Sequence, residues 1–194
     1  MSSSTTTSRP SAPGAVSAAG NRFLLPASFV AALASAAALS VLNGPLRNAA
    51  APMGVVSLET ARTLSGEHTV MASWGAHEVV ILAFSTGLAF FCSATFTVAF
   101  ALGCARLAAM ARAAFPKMSL AGAALASALS IVGVLWIAED GLLALELFGH
   151  ATAATAFLAW CFSLLKFAAL GAGTAYFAGM GAALGLRRRP APAG

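Results

Sequence analysis

The chain has 194 residues, of which 59% are hydrophobic and 9% charged, with a net charge of +5 and a mean hydropathy of +0.85. Soluble domains carry about 25% charged residues, so this chain has too few to cover a water-facing surface. The basic excess does not mark a nucleic-acid surface either, because the bases flank apolar runs and aromatics are not interleaved with the arginines.

Residues 1–21 are rich in Ser, Thr, Ala, Pro and Gly and read as a disordered cytoplasmic tail. The first span, Phe23 to Leu42, is uncharged and about 30 Å long as a helix, the thickness of a bilayer core. Asn43, Gly44 and Pro45 end it. A signal peptide is the competing reading, since Ala49-Ala50-Ala51 offers a small-x-small site. The apolar run is longer than a signal core, however, and Arg47 and Pro52 flank the site.

Residues 43–75 form the longest polar connection. Within it Val55, Leu58, Ala61 and Arg62 fall at helical spacing, which predicts a short amphipathic outer helix over Val55 to Leu64 with Ser57 as a cap. Trp74 stands where an interfacial indole belongs, just before the second span at about 76–105. Arg106, Arg112, Pro116 and Lys117 follow. The third span, about 118–147, carries Glu139, Asp140 and Glu146 toward its end, and Gly149 and His150 mark the turn. The fourth, about 152–186, has Lys166 as its single charge and is long enough to tilt or project from the bilayer. Residues 188–194 complete a basic tail. The expected fold is all-α: a membrane four-helix bundle, up-down-up-down, in one transmembrane domain over 22–187.

Charge sets the expected orientation. Arg9, Arg22, Arg106, Arg112, Lys117, Arg187, Arg188 and Arg189 fall on one side of a four-span chain, and all six acids lie on or near the other. By the positive-inside rule the basic side is cytoplasmic, which places both termini inside and the protein in an inner (plasma) membrane.

Lys166 is the most informative residue. A lysine at mid-membrane costs several kcal/mol unless it snorkels or is paired. With the hairpin turning near 148–152, Asp140 and Lys166 differ in depth by about 10 Å. The lysine side chain leans toward the N-terminus of its helix, which brings Glu139 or Asp140 within reach as an intramembrane partner. Gly181 and Gly185 form a GxxxG match, a candidate for close helix packing inside the chain or between copies.

Other chemistry is sparse. His68, His77 and His150 fall on the outer side as weak ligand candidates, without the spacing of a metal motif. No GxSxG or GxxxxGK[ST] occurs, so no catalytic residue and no cofactor are assigned. Cys92, Cys104 and Cys161 lie singly in apolar runs and read as small hydrophobes.

Pro52 to Glu59, Trp74, Glu139-Asp140 and Leu165-Lys166-Phe167 together resemble the feature order of uncharacterised bacterial four-helix membrane proteins. The resemblance covers about residues 23–186 and implies no activity. The leading expectation is a non-enzymatic accessory or assembly subunit whose partners are lipid, a second copy or a membrane complex, and not nucleic acid. A small transporter or channel component using Lys166 and the outer acids comes second, and a metal- or haem-binding redox subunit third.

Overall fold

The computed structural model describes residues 15–187, with side chains over 23–186. It contains α1 (Ala15–Leu42), α2 (Val55–Glu59), α3 (Leu64–Ala72), α4 (Ala76–Ala111), α5 (Pro116–Leu147) and α6 (Ala153–Arg187), and no strand among the described residues. The four long helices α1, α4, α5 and α6 are long and apolar enough to cross a membrane, and they pack as a four-helix membrane bundle.

Helix boundaries follow local chemistry. The first helix begins at Ala15, inside the stretch read as a disordered tail, because an Ala-rich run extends a helix at little cost. Residues 1–14 of that stretch, and the tail at 188–194, lie outside the described residues. The second span continues past Arg106 to Ala111, since arginine is a good helix former and Arg106 is exposed. Pro116 takes the first turn of α5, where its missing N–H is harmless.

The outer connection departs from expectation. The helix read over Val55 to Leu64 is two helices: α2 stops at Glu59, and Thr63 caps α3 by accepting from the Gly66 amide at 3.1 Å. Trp74 is buried in the cap, and its indole N–H donates to the Leu46 carbonyl at 2.8 Å.

Consecutive long helices run antiparallel, with α4 at the centre touching α1, α5 and α6. At the basic end, Tyr176 Oη donates to the Met118 carbonyl at 3.1 Å, and Phe29, Phe100 and Phe177 meet ring to ring. Cys104, Ala111, Leu129, Tyr176 and Met180 form the apolar core there. At the acidic end, Leu46, Ala51, Leu58, Val70, Trp74, Leu82 and Leu143 form a second core, so the connection 43–75 is a packed cap on the bundle.

The α5–α6 turn fixes the register between the acids and Lys166. Gly149, at φ +77°, donates to the Glu146 carbonyl at 2.9 Å, and His150 donates to that of Leu145 at 3.0 Å. This is a Schellman ending that needs the left-handed conformation glycine adopts freely. Thr152 and Thr155 then start α6 by exchanging backbone-to-hydroxyl bonds of 2.8 and 3.1 Å.

Close approaches between helices fall at Gly103 against Phe177, Gly122 against Tyr176, Gly133 against Thr97 and Gly173 against Phe100. Gly181 and Gly185 take no part, because an added Cβ at either meets nothing within 4 Å. The GxxxG pair points away from the bundle.

Candidate functional site: a polar layer around Lys166

Between the two apolar cores lies a layer of polar side chains. Lys166 is 2% exposed, and its Nζ sits 2.7 Å from Glu139 Oε1 and 2.8 Å from Glu59 Oε2. It also faces the rings of Trp136 and Phe167 at 5.3 and 5.0 Å, where the negative ring faces add a favourable cation–π term. Ser163, one turn earlier on α6, places its Oγ 2.5 Å from Glu139 Oε1 and 3.0 Å from the Glu59 carbonyl, with one proton to offer the two.

Glu139 and Asp140 are neighbours in sequence but serve different helices, because adjacent residues on a helix point about 100° apart. Glu139 turns to α6. Asp140 turns to α4, where its Oδ2 accepts from Ser93 Oγ at 2.9 Å. Both carboxyls are buried, and Glu139 Oε2 has no hydrogen-bond partner. The lysine therefore meets Glu139 and Glu59, while Asp140, the other partner read from the sequence, bonds Ser93.

Glu59 was legible only as an outer acid. It reaches Lys166 because α2 folds inward against α6, with Arg62 stacked 5.2 Å over Trp160 and Leu58 buried in the cap core. Ser93 and Ser163 are polar letters in apolar runs, and nothing in their spacing marks them.

A cavity of about 210 Å³ adjoins the layer, bounded by α1, α2, α4 and α5. Asp140 and Glu59 both line it. On the other side of the layer, Phe96, Phe100, Leu129 and Trp136 line a void of about 10 Å³ beside Lys166.

A second acidic pair lies in the cap. Glu67 on α3 is 1% exposed and Glu146 near the end of α5 is 6% exposed. Among the described residues no donor group bonds any of their four oxygens, and a bond between the two carboxyls needs a proton on one. Burial pushes the Glu67 carboxyl above its ordinary range, while Glu146 and His68 act weakly the other way. An acid with a raised folded pKa stabilises the fold most at low pH. That contribution fades as pH rises from the unfolded value near 4.5 through the folded one. Glu67→Gln is expected to exceed the wild type by about 1–2 kcal/mol at pH 8, with no advantage at pH 4. Thermal melts at both pH values check this, and parallel pH profiles would show Glu67 to be solvated.

The remaining candidates do not converge. His68, His77 and His150 are exposed at the acidic end, and no group of three His, Cys, Asp or Glu side chains is placed to hold a metal among the described residues. The cysteines are unpaired, with Cys92 and Cys104 buried. No family model, curated protein or solved structure matches the chain.

Proposed function

We propose that this multi-pass membrane protein is a small transporter or channel component that passes protons or a monovalent cation through the polar layer. The observation that carries this reading is the charge balance there: Glu59, Glu139 and Asp140 share one cation, Lys166. Full ionisation leaves two negative charges uncompensated in an apolar interior, and unpaired buried charge is costly. The layer therefore has places for added positive charge. Ionisable groups inside membranes mark ion and proton pathways more than they mark stability. The cavity supplies an approach from the acidic end, while beside Lys166 on the other side of the layer the void is about 10 Å³.

The membrane is proposed to be a bacterial inner membrane with both termini cytoplasmic, on the strength of the one-sided bases. The test is reconstitution into liposomes with an internal pH dye under a potassium diffusion potential. Proton flux is expected above that of protein-free liposomes, with about 10-fold or greater loss in Asp140→Asn, the size of effect expected when one charge-assisted contact is removed. Flux equal to the protein-free rate for H⁺, Na⁺ and K⁺ would sink the proposal.

The outward glycines favour a second reading, an accessory subunit. Gly171, Gly179, Gly181 and Gly185 all leave open space on α6, and small residues let a partner helix approach closely in lipid. A stoichiometric partner in a mild-detergent pull-down supports it.

A further inference from the structure

The cavity beside Asp140 has features the ion-pair network does not use. Ser85 lines it, is 3% exposed, and has no hydrogen-bond partner for its Oγ among the described residues. Hydroxyls in apolar helices ordinarily bond back to a carbonyl one turn earlier, as Thr86 does to Leu82 and Thr95 does to Phe91, both at 2.9 Å. Ser85 forgoes that bond and is left at the cavity wall. Asp140 and Glu59 also line the cavity; Asp140 Oδ2 is bonded to Ser93 and Glu59 Oε2 to Lys166, and their other carboxyl oxygens are not used by those contacts. No Lys, Arg or His lines the space.

We propose that this cavity binds a small organic monocation, an ammonium carried on an apolar body. The inference rests on the reading of the polar layer as a cation pathway and names the class of cation. Two carboxyls and a free hydroxyl oxygen form an acceptor set that matches the N–H groups of a primary ammonium. Leu39, Val55 and Leu143 belong to the apolar part of the wall, beside Ser40, Asn43 and Thr86. A divalent metal fits worse, since Mg²⁺ and Ca²⁺ take about six or more oxygen ligands, and Asn43 and Thr86 in this wall are already bonded to backbone groups. Size agrees as well. An engineered cavity of about 150 Å³ holds benzene, so about 210 Å³ accommodates a body of that size with a charged head.

The experiment uses the full chain in lipid nanodiscs, with benzylammonium as probe and benzyl alcohol as its neutral counterpart. The alcohol controls for partition into the lipid. Calorimetric titration is expected to show saturable binding of benzylammonium and none of the alcohol. Asp140→Asn is expected to weaken binding about 10- to 100-fold, the loss of one charge-assisted contact. Ser85→Leu fills the cavity and is expected to abolish binding, with a melting curve to verify the fold. Equal uptake of the two probes, or binding unchanged in Ser85→Leu, overturns the site. The same protein in flux-assay liposomes separates the two claims. Flux without benzylammonium binding removes the organic cation and leaves the pathway. Binding without any proton or metal-cation flux keeps the site and removes the transport reading.

Discussion

Replacing Lys166 with methionine is expected to lower stability by about 3–5 kcal/mol, the range for breaking a buried ion pair from one side. Methionine has nearly the same length and fills the same slot between Trp136 and Phe167. Packing therefore changes little and the loss reports charge. Without the ammonium, Glu139 and Glu59 each lose a contact under 3 Å, and Glu139, fully buried, retains only Ser163. Adding Glu139→Gln to Lys166→Met removes a stranded charge while Ser163 can still donate to the amide oxygen, and should recover about half of the loss or more. Thermal melts of the single and double variants in one detergent test this. A single variant as stable as the wild type would mean that water reaches the lysine. The double variant also separates structure from function: if it folds and still conducts at the wild-type rate, Lys166 has no part in the pathway.

How far the sequence carries toward this site depends on how local each interaction is. The spans were legible because hydropathy is a sum over neighbours, and each run exceeds what a soluble helix needs. Lys166 was legible as the one charge in the last span, and the turn at Gly149 fixed its depth against Glu139. Glu59 was not legible as a partner. Its contact with Lys166 spans 107 positions and depends on α2 folding inward, which short-range periodicity does not encode. The acids show the same limit. Sequence position sorted them toward one side and offered Glu139 or Asp140 to Lys166, but it did not show that Glu67 and Glu146 are buried in the cap. Nothing in their spacing distinguishes a carboxyl in a core from one at a surface.

Gly133→Val is expected to destabilise the bundle by about 1–3 kcal/mol, the cost of forcing atoms into a packed interior. Gly133 is where α5 presses on α4, and a Cβ there would run into the side chain of Thr97. Phe96 and Phe100, on either side of Thr97 in α4, make ring contacts with Trp136 and Phe177. A second change, Thr97→Gly, should restore part of the loss by vacating the clash, while a helix weakened only by valine's low propensity would gain nothing from it. Gly181→Val provides the contrast. It lies in the sequence motif that best advertises close packing, yet the space around it is open, so its effect on the monomer is expected to stay within about 0.5 kcal/mol. A melt of both variants, paired with cross-linking, reads two things at once. A large loss at Gly133 and none at Gly181 places the close packing at the α4–α5 seam. A loss at Gly181 accompanied by a fall in cross-linked dimer means that a second copy covers the outward face of α6.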